Sequence, residues 1–434
     1  MFFFKVVPKP ISNSALTVFV LVFLCQIFAY FIVPLIRGRN DIVFYGYYER
    51  RFETAKTLFE QNFKDGYEKG GAAMAVFHNG INVVNIWGGH ADFKKKKLWT
   101  QNTRTLLFSA SKPLSALCLA ILVDKGLLKW TDRIIEYWPE YGQNGKENTT
   151  IQHVLTHQAG LPYLENQIEL EDVISRTKIF KLIEEATPIW IPGTASGYHA
   201  LTFGWLVEGI VQRVDPLHRD LATFFDDQIS SKFGLDVSIG LRKDADFERS
   251  AVLQQADIID YIRDTIVDPR MLVMMAGYYS QGSESVLGKV EKNQNWLNME
   301  ELTMNRIEIQ RLGLGASNGL GTARDVAELF SLFLNGSLIS PQLVEQMTRP
   351  TLDDWHWEKT ILYPIMKGYG FFYDYHPQEN GKYIFGHPGY GCQSIHIDPH
   401  HNLIVVYLSN GLKSTTSHLC RPYQRILSSV YTSL

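Results

Sequence analysis

The chain has 434 residues, 45% of them hydrophobic and 20% charged, with a formal net charge of -3. That length provides for a large core in one soluble unit with two subdomains, and the near-neutral balance gives no footprint for a nucleic-acid partner. Four cysteines exclude a dense disulfide framework; Cys25 lies in an apolar run, Cys118 has a helical, buried setting, and only Cys392 and Cys420 look like a possible pair. Residues 15–36, ALTVFVLVFLCQIFAYFIVPLI, carry no formal charge and are long enough to cross a bilayer as one helix. Gln26 is a lone polar residue, and Pro34 falls near the end, where it interrupts few hydrogen bonds. The rival reading is a cleaved signal peptide, but the run exceeds a usual signal core and no small-x-small site follows before Arg37. The expectation is a single-pass chain, with residues 1–45 as cytosolic or luminal tail and anchor and residues 46–434 as the folded body. Lys5 and Lys9 nearly balance Arg37 and Arg39 across the run, so orientation and compartment stay open. Two sequons, Asn148-Thr149-Thr150 and Asn335-Gly336-Ser337, are compatible with a luminal or extracellular body.

Within the body, Phe52, Leu58, Phe59 and Phe63 give residues 47–68 helical spacing. Two strand-like pieces, AAMAVFHNG and INVVNIWGG, meet at Asn79-Gly80, a hairpin signal because both residues accept positive φ. The Lys94–Lys97 run reads as a solvated loop in preference to a lipid-headgroup site. Leu114, Leu117, Cys118, Ile121 and Leu122 then form a helical stripe that Gly126 terminates. Thr149 and Gln152 are spaced as a capping box for the IQHVLTHQ helix. Residues 201–213 and 323–334 read as helices, residues 402–411 as a core strand, and KYIFGHPGYGCQSIHIDP as strand, glycine bend and strand. Strands at both ends with helices between predict an α/β body whose sheet is closed by distant chain segments.

The chemistry-bearing segment is Ser109-Ala110-Ser111-Lys112. Three helical positions bring Ser109 and Lys112 to one face, so an amine can take the hydroxyl proton and activate the oxygen as a nucleophile. Pro113 is tolerated in a first turn, where backbone donors have no intrahelical acceptor, and the helix would start near Ser109 with its positive dipole end at the serine. Two further polar islands carry Tyr198, in PGTASGYHALTFGWL, and His387, in FGHPGYG, where Gly389 and Gly391 let the backbone approach a substrate.

Taken with HVLTHQAGLP and GLGTARDVAELFSLFLNG, the order S-x-x-K, Tyr198, His387-Pro388-Gly389 resembles the serine beta-lactamase and DD-peptidase superfamily. It is most similar to the class-C-related esterases and LACTB-like serine hydrolases, over most of residues 50–434. The resemblance implies a beta-lactamase/transpeptidase-like antiparallel sheet flanked by helices, with a helical subdomain. It implies Ser109 as covalent nucleophile, Lys112 as the group that deprotonates it and Tyr198 as a second acid/base, leaving open which of the two is the principal base. It also places His387, Gly389 and Tyr390 in the substrate site, with the backbone amides of Ser109 and Tyr390 as oxyanion hole. For either base the pKa must fall through desolvation and local charge. Ala200 stands where class C enzymes have an asparagine two positions after the tyrosine, and His387 stands where many have lysine. Both departures weaken antibiotic hydrolysis and favour an ester substrate, so carboxylesterase is the first choice. No cofactor or metal is expected.

Two rival features have structural readings. Gly315-Ala316-Ser317-Asn318-Gly319 fits the literal G-x-S-x-G elbow, with Asp325 and His387 as nominal partners, but lacks a preceding core strand. His153 and His157 sit at i,i+4, a metal-compatible spacing without a third ligand; a structural role at the turn is expected instead. The alternatives to an esterase are a peptidase, an acyltransferase or a noncatalytic scaffold on the same fold.

Overall fold

The computed structural model describes residues 13–434 except 294, 295, 354, 355, 357, 362, 364 and 416; Lys5 and Lys9 therefore lie outside the described residues. Twelve strands are described: β1 Phe44–Tyr48, β2 Gly71–His78, β3 Ile81–Asp92, β4 Lys97–Leu98, β5 Thr105–Leu106, β6 Val237–Ile239, β7 Gly319–Gly321, β8 Met366–Gly368, β9 Phe371–Tyr375, β10 Tyr383–Gly389, β11 Gln393–Asp398 and β12 Leu403–Ser409. Nine form one sheet in the order β1-β3-β2-β12-β11-β10-β9-β8, with β4 added to β3; β5, β7 and β6 form a second. Every pairing is antiparallel, and β12 from the chain's end lies beside β2 from its beginning, as the sequence pattern predicts.

Alternation along these central strands divides the core in two. Met74, Val76, Val405 and Tyr407 face the helices Glu53–Lys64 and Arg421–Tyr431, meeting Phe59, Phe63 and Ile426. Ala73, Ala75, Phe77, Ile404 and Val406 face the helices Lys112–Asp124 and Ala323–Leu334, meeting Leu117 and Phe330. With both faces covered, the strands read as continuous apolar runs. Each Met, Val, Ile or Phe among these contributes roughly 1.5–3 kcal/mol when fully buried. The β2–β3 hairpin turns at Asn79 and Gly80, both at positive φ.

Three local expectations are corrected. Residues 44–48 are an edge strand, and the helix predicted over 47–68 starts only at Glu53, after a turn at Arg50–Phe52. The capping box belongs to Thr150 and His153, one residue later than Thr149 and Gln152, with each side chain accepting the other's backbone N–H. Ser109 sits in a 3-10 turn, Phe108–Ser111, and the α-helix proper begins at Lys112. That helix is buried on all sides from Lys112 to Leu122, more than a single apolar stripe.

Ahead of the body, the chain is helical through Asn13–Ile27, Phe28–Ile32 and Val33–Arg37. It includes one segment, Val20–Arg37, long and apolar enough to cross a membrane by length and composition. Arg37 at its end pairs with Asp257 at 2.7 Å.

Candidate active site

The approach to Ser109 is fixed by β5. Thr105 and Leu106 pair with Gly321 and Leu320, and Leu107 N–H donates to Gly319 O at 2.8 Å. Phe108 then adopts φ +48°, a left-handed conformation costing a non-glycine residue about 1–3 kcal/mol. It is held there by burial among Leu106, Leu241, Leu253 and Leu412 and by a ring contact with Tyr390 at 5.6 Å. Ser111 Oγ donates to Phe108 O at 2.5 Å and accepts from Gly319 N at 2.7 Å, locking the turn that carries Ser109.

Lys112, one residue on, is entirely buried. Its Nζ donates to Ala200 O at 2.8 Å and to Ala316 O at 3.1 Å. Among the described residues no carboxylate pairs with it, and burial holds its pKa well below the usual lysine value. The rings of Tyr198 and Phe203 lie 4.6 Å and 5.8 Å from Nζ. They would return about 2 kcal/mol to an ammonium, short of the several kcal/mol that an unpaired buried charge costs. A neutral amine has two N–H groups and one lone pair. Both N–H groups are taken by carbonyls, so the lone pair is the only function left over.

Tyr198 is anchored through its backbone, whose N–H donates to Glu358 Oε1. Its ring is enclosed by His157 at 4.8 Å, Phe372 at 5.8 Å and His387 at 6.1 Å. The hydroxyl is buried without a well-formed hydrogen bond among the described residues. Burial raises its pKa, and the nearby Ser109 hydroxyl offsets only part of that rise. The two candidate bases therefore differ in kind: an amine with a lone pair, and a phenol with a proton.

His387 has Nδ1 at 2.7 Å from Pro388 O, which makes Nδ1 the donor and leaves Nε2 as an unpartnered acceptor among the described residues. Burial, helped by Lys112, pushes its pKa down to about 3, so the ring is neutral. It stacks on Phe372 at 4.3 Å. A Cβ on Gly389 would stand 2.2 Å from Leu107 O, so only glycine lets β10 pass this close to the Ser109 turn. Tyr390 follows directly, bringing its backbone alongside the Ser109 turn.

The structure thus brings Ser109, Lys112, Tyr198, His387, Gly389 and Tyr390 into one neighbourhood. Sequence reasoning missed the group beneath Tyr198. Buried Glu358 accepts from Tyr198 N, from Thr360 N at 2.8 Å and from Ile361 N, while Lys367 Nζ reaches Glu358 Oε1 at 3.3 Å and Ser196 Oγ at 2.7 Å. Burial lowers Lys367 to about 8 against the pull of Glu358. Only Ser196, two positions before Tyr198, stood inside a recognisable island.

The rival features resolve structurally. Ser317 is buried in a loop whose strand, β7, follows it, the reverse of a nucleophile elbow. That loop braces the Lys112–Asp124 helix: Gly315 O accepts from Ser115 Oγ at 2.6 Å and Ala316 O accepts from Lys112. Asp325 is bound by Thr322 and Arg324 at the start of its own helix. His153 completes a helix cap, and His157 Nδ1 accepts from His199 N at 3.1 Å. His199 in turn accepts from Leu161 N and bonds Gly197 O, and burial holds it at about 3. Ala200 lacks an amide side chain, yet its carbonyl holds Lys112.

His376, Asp398 and His401 could by position hold a metal ion. However, His376 Nδ1 accepts from Gln378 N and Glu379 N, so its Nε2 carries the proton that bonds Asp398 at 2.9 Å. With Tyr431 also donating to Asp398 at 3.0 Å, the cluster reads as a pin for the C-terminal helix. A cavity of about 780 Å³ runs from His387 and Phe372 to Tyr423 and Tyr431 on that helix. His387 and Pro388 line it, but Ser109 and Tyr198 do not.

Comparison with known proteins agrees with this geometry. The sequence profile of the Beta-lactamase family matches residues 59–428. The esterase/beta-lactamase LipL of Mycobacterium tuberculosis is 28% identical over 384 residues, covering 85% of this chain and 83% of that protein. Among solved structures, a family VIII carboxylesterase superposes with a TM-score of 0.78 at 24% identity, covering 90% of this chain and 100% of its own. A penicillin-binding protein homolog from Caulobacter crescentus superposes with a TM-score of 0.75 at 28% identity over the same shares. A chain that has the S-x-x-K turn, the facing tyrosine and the H-P-G of β10, and that matches this profile over most of its length, belongs to the Beta-lactamase family.

Proposed function

We propose that the protein is a serine hydrolase, a carboxylesterase that works through an acyl-enzyme at Ser109. The observation that carries this reading is Lys112: fully buried, with both N–H groups on carbonyls and no counter-ion among the described residues. Its lone pair takes the Ser109 proton as Oγ attacks the ester carbonyl. The charge that develops on the carbonyl oxygen meets the backbone amides of Ser109 and Tyr390. The Tyr198 hydroxyl protonates the departing alkoxide and is reprotonated from Lys112, which returns the amine to neutrality. Water then attacks the acyl-Ser109 ester, its proton returning through the same pair to Ser109 Oγ, so ester and water become acid and alcohol. His387 shapes the pocket as a neutral ring.

The solved family VIII carboxylesterase and the name of the mycobacterial relative favour an ester substrate. Ala200 supports the same choice, since no side-chain amide stands there to hold a peptide-like carbonyl. We read residues 1–45 as tail and membrane anchor and 46–434 as the hydrolase body. The disulfide Cys392–Cys420 and exposed sequon residues Asn148 and Asn335 favour a body in an oxidising, luminal or extracellular compartment.

The test is fluorophosphonate labelling of the detergent-solubilised chain, with the adduct located by peptide mass spectrometry. Label on Ser109 that vanishes in Ser109→Ala and persists in Ser317→Ala supports the reading. Label on Ser317, or none on a folded sample, contradicts it. Products from a simple ester in water, with and without added alcohol or amine, then separate hydrolase from acyltransferase.

A further inference from the structure

The helix Ile258–Val267 is amphipathic in the wrong sense for a surface in water. Its charged residues are turned inward: Asp260, Arg263 and Asp264 are 2%, 1% and 6% exposed. They are consumed by one another and the body, with Lys69 on Asp260, Arg263 on Asp264 at 2.9 Å and Ser414 on Asp264. Its isoleucines are turned outward, with Ile258 70% and Ile262 43% exposed. The next helix, Arg270–Gln281, continues the surface with Leu272 and Val273, 57% and 74% exposed. A helix that spends its charges on the interior and leaves branched aliphatics outside is matched to an apolar medium.

What that medium is follows from continuity. The apolar N-terminal helix packs against Ile258–Val267 and is fastened to its N-cap residue, Asp257, by Arg37 at 2.7 Å and by Lys69 at 3.1 Å on the body's side. Arg421, at the start of the C-terminal helix, covers Tyr30 on the same N-terminal helix at 5.4 Å. Whatever surrounds Leu21, Val22 and Phe31 therefore also reaches the isoleucine face. Flanking that face, Tyr261 is in hydrogen-bond contact with Tyr390, so the helix borders the Ser109 site.

We propose that the helices at 258–267 and 270–281 are seated in the headgroup–acyl boundary of the bilayer that holds the N-terminal helix, so that the Tyr390 side of the catalytic cleft opens onto lipid and takes acyl esters that partition into the membrane. The inference rests on the reading of residues 15–36 as an anchor. Seating to about 5–10 Å is what an interfacial helix of this kind reaches, and it brings the reacting carbonyl to the serine without extracting an acyl chain into water.

The experiment uses the full chain with Cys25→Ser, in phosphatidylcholine vesicles, spin-labelled in turn at Val22→Cys, Val273→Cys and Leu217→Cys. The last reports an exposed apolar residue in the Asp215–Arg219 turn, apart from this face. Relative accessibility to oxygen and to a water-soluble nickel chelate reads depth. The expected result is lipid exposure at 22 and 273 and water exposure at 217. Lipid at 22 with water at 273 overturns the seating and leaves the anchor standing. Shielding of 273 from both reagents shows protein cover, as from a second copy, and also overturns it. Water at 22 overturns the anchor and the inference with it.

Discussion

Lys112 and Lys413 are both buried lysines of the same fold, and their surroundings are opposite. Lys413 meets a carboxylate: its Nζ lies 2.6 Å from Glu68 Oε2, 2.7 Å from Ser409 Oγ and 2.6 Å from Gly411 O. Burial lowers its pKa, and Glu68 opposes that shift through both charge and hydrogen bond. Lys112 meets only two carbonyls and two aromatic rings, and no carboxylate among the described residues opposes the effect of burial. The difference teaches that burial alone does not make a lysine a base. A facing carboxylate turns it into a structural ion pair, while neutral acceptors leave a lone pair available for chemistry.

That contrast can be broken or sharpened by substitution. The largest effect is expected from Ser109→Ala, which removes the proposed nucleophile: ester hydrolysis falls by about 10⁶-fold in kcat, read by product release, while the Lys413 site is untouched. Lys112→Met comes next, with loss of the proposed base lowering kcat by about 10²–10⁴-fold and Ser109 labelling slowing in parallel. If instead activity survives in Lys112→Met, the two lysines are both structural and the contrast collapses. Lys413→Met gives the converse result. It leaves Glu68 buried without its cation, so unfolding in urea reports about 3–5 kcal/mol lost, with labelling of Ser109 at an unchanged rate in the folded fraction. Smaller still is Cys392→Ser, which opens the 28-residue separation to Cys420 and loosens the strand ends near Lys413. Thermal or urea unfolding should show about 2–4 kcal/mol lost, the usual worth of such a crosslink.

How legible this was in the sequence depends on how local the determinant is. The helices at Thr202–Val214 and Ala323–Leu334, the Asn79-Gly80 turn and the β12 strand follow from short-range pattern, and each forms where that pattern puts it. The edge strand at 44–48 was hidden because the Phe52–Phe63 periodicity extends backward onto tyrosines that suit either state. The cap moved from Thr149 to Thr150 because both are competent and the choice is made by His153, whose ring accepts Thr150 N–H. Within the site, Ser109, Lys112, Tyr198 and His387 stood in islands that a reader can find. Glu358 and Lys367 did not, since the contact of Lys367 with Ser196 spans 171 positions and no local pattern announces a pair that forms only after the sheet closes. The same holds for the isoleucine face at 258–267, where periodicity alone shows an amphipathic helix but not which side meets the body.

The central claim is that Lys112 is a neutral amine in the resting protein, so the most direct measurement is the pH dependence of fluorophosphonate labelling at Ser109. Protonated Lys112 has no lone pair, so the rate is low in acid and rises as the amine loses its proton. Because burial holds that pKa well below the ordinary 10.5, the rise should be complete far below pH 10, and His387, held at about 3, should add no limb near pH 6.5. The account predicts a limb that disappears in Lys112→Met. A rate that climbs only near pH 10, or a limb unchanged by that substitution, would contradict it.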